Sequence, residues 1–176
     1  MTQPPPSDSD DPAEAAVARL IAKLRKARTP REAAWAVSTE AITAIGLEDC
    51  VVYLLDDSAT LLTQVAAYGP KLKAPQVIAD PLTLRLGQGV VGHCAAARIP
   101  IRVDDTRNEP RYLIDDAERL SELALPLIHD GELLGVLDSE HSSAGFYQGQ
   151  HERLLQQMAT LLSAHLALLR FAVQRG

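Results

Sequence analysis

The chain has 176 residues, 47% hydrophobic and 23% charged, which is the composition of one folded domain and excludes a disordered or fibrous protein. A formal net charge of −6 excludes the concentrated basic face that nucleic-acid binding requires, and arginines such as Arg85, Arg98, Arg102, Arg107 and Arg111 stand singly, as solvated partners of nearby acids. No apolar run approaches the roughly 20 residues of a membrane span, and Cys50 and Cys94 are too few and too far apart for a disulfide framework, so the reading is a cytoplasmic protein with no nucleic-acid or membrane partner.

Residues 1–11 (MTQPPPSDSDD) are acidic and Pro-rich, without the basic start and apolar core of a signal peptide, and are expected to be a disordered tail. Asp11-Pro12-Ala13-Glu14 is a helix start, with Asp11 as the cap, and Val17, Leu20, Ile21 and Leu24 follow at helical spacing. Thr29-Pro30-Arg31-Glu32 repeats the signal for a second helix that stops at Gly46. Strands are predicted at Cys50–Leu55 and Leu61–Tyr68 across the turn Asp56-Asp57-Ser58, then a Lys- and Pro-rich loop after Gly69-Pro70, then a short strand near Leu82–Leu86. Gly87, Gly89 and Gly92 next spell G-x-G-x-x-G ahead of a short helix and the strand Pro100–Val103. Residues 104–120 read as irregular or partly helical. Strands Ser121–Ile128 and Glu132–Glu140 flank His129-Asp130-Gly131, a hairpin signal, and a long helix covers about 150–173.

A glycine fingerprint between strand and helix raises a dinucleotide site. That site needs several parallel crossovers, whereas this order offers one, with a helix too short for it. Helices first, adjacent strands next and a helix last give an α+β fold around an antiparallel sheet. The glycines then serve a tight turn and a close helix approach.

GQGVVGHCAAARIPIRVDDTRNEPRY, SELALPLIHDGELLGVLDSEH, a Phe-containing loop and a long amphipathic helix together resemble the GAF domain, over roughly residues 30–172. The resemblance implies a GAF-like central antiparallel sheet, terminal helices on one face and a ligand pocket on the other. It divides the chain into a tail (1–11) and one domain over 12–176, with helices at 12–46, sheet and pocket at 47–149, and a helix at 150–173. The family includes binders of cyclic nucleotides, bilins, haem, iron and small metabolites, a branch that reduces free methionine sulfoxide, and members that only dimerise.

The reductase branch places one Cys in a G-V-C-G type turn and another shortly before the S-E strand; here those places hold Val91 and Asp115. Thiol chemistry needs an attacking and a resolving sulfur, and Cys94 has no partner nearby, so it reads as a buried helix residue. The cyclic-nucleotide pattern Asn-Lys…Phe-x-x-x-Asp-Glu is matched only at Phe146, since Gln150-His151 replace its acids. Residues 105–150 hold no Cys for bilin attachment. The five His are scattered, with no metal-ligand spacing; His165 falls in the apolar series of the last helix, and His141 and His151 read as solvated. The cofactor stays open.

A two-residue turn at Asp130-Gly131 would set Glu122 opposite the face of Asp138. A three-residue turn would gather Glu122, Asp138 and Glu140 on one face and Leu123, Leu125, Leu127, Leu133 and Leu137 on the other. The second register separates the pattern better. Carboxylates gathered so would need a ligand amine or hydroxyl, or Arg102, Arg107 or Arg111, to balance them; otherwise they reach solvent. The expected function is a non-catalytic sensory or regulatory domain binding a small molecule through Tyr53, Val91, Asp104, Tyr112, Glu122, Asp138 and Glu140. The alternatives are the thiol reductase and a dimerisation module whose pocket is filled by its own side chains. Leu154, Met158, Leu161, His165, Leu168 and Ala172 form an a/d seam beside Leu155, Leu162 and Leu169. That excess, with the first helix, predicts a homodimer on a four-helix bundle. No kinase, cyclase or helix-turn-helix output is recognisable, so a signal would pass to another protein or a further segment.

Overall fold

The computed structural model describes residues 12–173; the expected tail (1–11) and the cap role of Asp11 lie outside the described residues. Helices α1 (Pro12–Leu24) and α2 (Pro30–Ile45) come first. Helix α2 begins where its signal lies: extended Thr29 accepts the Glu32 N–H on its hydroxyl at 3.2 Å, and Pro30 opens the helix. It ends at Gly46, whose left-handed φ of 64° turns its N–H onto the Ile42 carbonyl.

Six strands form one sheet: β1 (Cys50–Leu55), β2 (Leu61–Tyr68), β5 (Thr83–Arg85), β6 (Ile101–Val103), β7 (Ser121–His129) and β8 (Glu132–His141). Their order is β5-β2-β1-β8-β7-β6, and every pairing is antiparallel. Helix α3 (Gly89–Ala97) lies against one face, and α4 (Gly149–Val173) and α2 lie against the other, which makes the architecture α+β. The segment read as a plain loop contains a small hairpin, β3 (Leu72–Ala74) with β4 (Val77–Ile78); strands this short carry no readable alternation. Among the described residues no helix is long and apolar enough to cross a membrane.

The glycine stretch turns the chain from β5 into α3. Gly87 and Gly89 adopt φ of +84° and +70°, and a Cβ on Gly92 would lie 2.4 Å from the Arg85 carbonyl oxygen. They bring α3 close to the sheet edge, with no parallel crossover around them.

The β7–β8 hairpin groups the side chains by a different route from either turn considered in sequence. The turn has two residues, Asp130 and Gly131, both at positive φ (48° and 78°). By itself it would set Glu122 and Asp138 on opposite faces. Beyond Leu127 the register shifts by one, with Leu127 opposite Gly135 and Ile128 opposite Leu133, so Leu134 is the extra residue of a bulge. Glu122 then pairs with Glu140, and Ala124 with Asp138. The expected carboxylate grouping results, but Leu133 does not join the helix-side leucines. It lines a cleft with Ala95 and Ala96 of α3, while Leu134 lines one with Leu166 of α4.

Cys50, Val52, Leu123, Leu125, Leu127 and Leu137 are fully buried on the helix side. Helix α1 packs chiefly on α2 and α4, forming an outer layer. Glu40 of α2 ties that layer down, taking Arg19 Nε at 3.0 Å and Lys23 Nζ at 2.5 Å. Burial pushes its carboxyl up, but the two cations together hold it below the usual range. The α4 seam is split: Leu154 and Met158 are buried within the chain, Leu161 and His165 are half-buried, and Leu168 is 66% exposed. His165 Nε2 lies 3.2 Å from the Ala27 carbonyl oxygen.

Candidate functional site

On the face opposite the terminal helices, strand alternation sets Val51 and Tyr53 of β1 beside Asp138 and Glu140 of β8 and Glu122 of β7. Helix α3 covers them with Val90 and Val91, and Leu82, Leu84, Leu113 and Asp115 close the sides. The enclosed space is about 20 Å³, room for a water molecule.

Five of the residues expected to bind a ligand line this cavity: Tyr53, Val91, Glu122, Asp138 and Glu140. Tyr112 stands behind them, its hydroxyl bonded to Glu140 and accepting the Arg119 N–H at 2.9 Å. Asp104 does not belong. It lies one residue beyond β6, exposed, paired with Arg102 at 3.1 Å, because the strand ends at Val103 and the chain turns outward. The arginines expected to balance the acids are elsewhere too. Arg102 reaches Asp104 and Glu152 (3.5 Å), Arg107 grips Asp105, and Arg111 grips Glu109.

The buried acids are more numerous than the sequence suggests. Buried Asp49 and half-buried Asp115 and Asp116 join Glu122, Asp138 and Glu140, against two cations, Lys71 and Arg119. Arg119 is 3.7 Å from Asp116 and 4.0 Å from Glu48. Among the described residues, four buried carboxylate oxygens have no hydrogen-bond partner: Asp49 Oδ1, Asp116 Oδ2, Glu122 Oε2 and Asp138 Oδ1. Burial pushes the Glu122 and Asp138 carboxyls well up, the charge of Glu140 pushes both the same way, and that of Glu122 raises Asp138 further, while hydrogen bonding with Asp138 pulls Glu122 the other way. The two share a hydrogen bond, so one proton between them relieves the repulsion. Burial also raises Glu140, to about 7, although the Tyr112 hydroxyl and Arg119 oppose it. Among the described residues no group of three or more His, Cys, Asp or Glu is arranged to hold a metal ion. What the site offers chemically is buried acceptors short of donors.

Gln64 organises the other wall. Its Nε2 donates to the Tyr53 hydroxyl at 2.9 Å and to Asp115 Oδ2 at 2.6 Å, and its Oε1 accepts from Lys71 Nζ and the Leu82 N–H, both at 2.9 Å. Sequence reasoning misses Gln64, Lys71, Asp115 and Arg119. The available signal was a glutamine on the inward parity of an otherwise apolar strand, a position that demands polar partners. His141 and His151 are not solvated: both stack on Phe146, with centroids 3.6 Å and 4.8 Å away.

This architecture recurs in known proteins. The chain is 29% identical to the free methionine-R-sulfoxide reductase of Escherichia coli over 115 residues, 65% of this chain and 64% of that enzyme, so it spans just under two thirds of that relative's length. The GAF domain of a phosphoenolpyruvate-protein phosphotransferase from Coxiella burnetii superposes with a TM-score of 0.81 at 21% identity, covering 96% of this chain and 99% of that one. The free methionine-R-sulfoxide reductase of Neisseria meningitidis, solved with its substrate, gives 0.79 at 21% identity over 98% and 99%. The sequence model of the GAF domain matches residues 27–167, and the chain belongs to the GAF domain family.

Proposed function

We propose that the protein is a non-catalytic regulatory GAF domain that binds a small molecule presenting hydrogen-bond donors, an amine or hydroxyls, and signals through a helical dimer. The observation that carries this reading is the set of buried carboxylates whose oxygens Glu122 Oε2 and Asp138 Oδ1 lack donors beside a small cavity. A buried acceptor left unpaired loses its hydration without compensation, and a donor-bearing ligand supplies what is missing. Native mass spectrometry of freshly purified protein tests this. A retained small molecule is expected, released in Asp138→Asn; protein that is empty and unresponsive to small amines and polyols in thermal melts would count against it.

The enzyme alternative draws on the two reductases above. Against it, the places where that branch carries its thiols hold Val91 and Asp115. Cys94 is fully buried, with its thiol pushed up by burial and by Asp138 and Glu122, far from the depressed value a reactive thiolate needs. No turnover of methionine sulfoxide with a thiol donor is expected; turnover abolished by Cys94→Ser would overturn the non-catalytic reading.

For assembly, the support is an apolar groove between α1 and α4 lined by Val17, Ala18, Ile21 and Leu161, continued by exposed Leu168 and Phe171. A second copy laying its own α1–α4 face there would form a four-helix interface. Sedimentation equilibrium at micromolar concentration should give twice 19.0 kDa; a single species at 19.0 kDa would sink the dimer.

A further inference from the structure

A carboxylate-lined site with room for little more than a water molecule needs a way to widen, and one contact at its wall stands in that position. Lys71 lies in the turn between β2 and β3, and Asp115 in the long connection between β6 and β7. Their charged ends meet over the cavity wall, with Lys71 7% and Asp115 16% exposed. Between them sits the Gln64 side chain, bonded to both and to Tyr53. Gln64 is fixed in the middle of β2, opposite Tyr53 in the sheet. The two charged residues are carried by connections instead. Next to Asp115 the connection buries little apolar surface, with Leu113 and Ile114 43% and 62% exposed.

We propose that Lys71 and Asp115 form a latch, and that a ligand enters the carboxylate cavity only when this ion pair opens and residues 69–82 part from residues 109–118. The latch gates the same cavity as the binding reading and rests on it. Ion pairing suits this task. The desolvation lost on burying two charges roughly offsets their attraction, so rehydration on opening returns much of what separation loses. An apolar plug of equal size has no such compensation. Closure also explains how a carboxylate-lined site and a cavity of about 20 Å³ coexist.

The chain's own cysteines report on opening. Cys94 of α3 faces the carboxylates, close enough that Asp138 and Glu122 act on its thiol. Cys50 lies on the opposite face of the sheet, under α2. Both are fully buried. Alkylation by iodoacetamide, followed peptide by peptide in the full chain, compares local opening with global unfolding. Lys71→Ala and Asp115→Ala should each speed labelling of Cys94 roughly tenfold or more while Cys50 keeps its rate. The charge-swapped chain, Lys71→Asp with Asp115→Lys, should return Cys94 towards its slow rate. No acceleration at Cys94, equal acceleration of both thiols, or a swapped chain as fast as the single variants overturns the latch. Hydrogen exchange on the unaltered chain is a check independent of variant folding. Amides in 69–82 and 109–118 should open at a common rate ahead of β7 and β8, and unrelated rates for the two segments would refute the proposal. None of these readouts involves a ligand, so an empty protein in native mass spectrometry and a failed latch are separate outcomes.

Discussion

The two faces of the central sheet are made by the same strands and behave as different materials. On the helix side, Leu123, Leu125, Leu127 and Leu137 are sealed under α2 and α4, and the strand hydroxyl there is paired, with Ser38 Oγ of α2 left without a partner. Tyr147 donates to Ser139 Oγ at 2.7 Å, and Ser139 donates to the Asp49 carbonyl at 2.6 Å. On the α3 side, one position away along β7 and β8, Glu122, Asp138 and Glu140 are buried together with unpaired oxygens. One face lowers the free energy of folding, and the other raises it by burying acceptors without donors. Strand alternation lets a single hairpin do both, because adjacent residues never share a face.

The sharpest way to break this contrast is to weaken the helix face. Leu125→Ala removes a fully buried side chain among aliphatic neighbours, where nothing can relax into the gap. A loss of about 2–5 kcal/mol is expected in urea unfolding. A loss below about 1 kcal/mol would mean that this layer does not carry the stability assigned to it.

The α3 face should announce itself through pH. Glu140 has a folded value of about 7 against an ordinary 4.5, and burial raises Glu122, Asp138 and Asp49 as well. In this range the folded state holds more protons than the unfolded chain, so stability falls as pH rises. It is fully present below about pH 4.5 and, for Glu140, is lost as pH climbs through about 7. That one group is worth on the order of 3 kcal/mol across the interval. Carboxyls with lowered values, Glu40, Glu48 and Glu109 (about 2), titrate below this window, so their opposite effect lies at lower pH. Unfolding midpoints of the ligand-free protein should therefore rise from pH 7.5 to pH 5. A flat or inverted profile would show that the acids are hydrated.

Asp138→Asn sharpens the same point with a smaller effect. It removes one charge from the Glu122–Asp138 pair and leaves an amide that can donate to Glu122. Stability at pH 7.5 should rise by about 1–2 kcal/mol, and the slope with pH should flatten. The substitution that stabilises the domain is the one expected to empty the pocket.

How much of this was legible follows from where each signal comes from. The leucines of β7 and the acids of β8 repeat every second residue, so their segregation could be read directly. The register could not: a three-residue turn would group the acids in the same way, but the turn has two residues and the grouping arises from a bulge at Leu134. Asp104 had no periodic signal behind it: β6 ends at Val103, which pairs with Glu122, and the next residue leaves the sheet. Lys71 and Asp115 come from connections without periodicity, and they meet only because Gln64, 51 residues before Asp115, bridges them. Their pairing is a product of tertiary closure, and local pattern contains no trace of it.

The last test separates the helix layer's inner surface from its outer one. Leu168 and Phe171 lie on the same helix as Leu155 and Leu162, yet they are 66% and 60% exposed while the others are sealed. Exposed substitutions of this kind change stability by no more than about 0.5 kcal/mol. Leu168→Ser should accordingly leave the urea midpoint unchanged when measured at high dilution, where assembly does not contribute. Its effect should appear in mass alone: where the native chain sediments as a dimer at micromolar concentration, the variant should shift towards 19.0 kDa. A variant that dimerises as well as the native chain would move the interface away from the Leu168 end of α4. One that unfolds would show that the outer surface belongs to the core after all, and the contrast between faces would then extend through three layers.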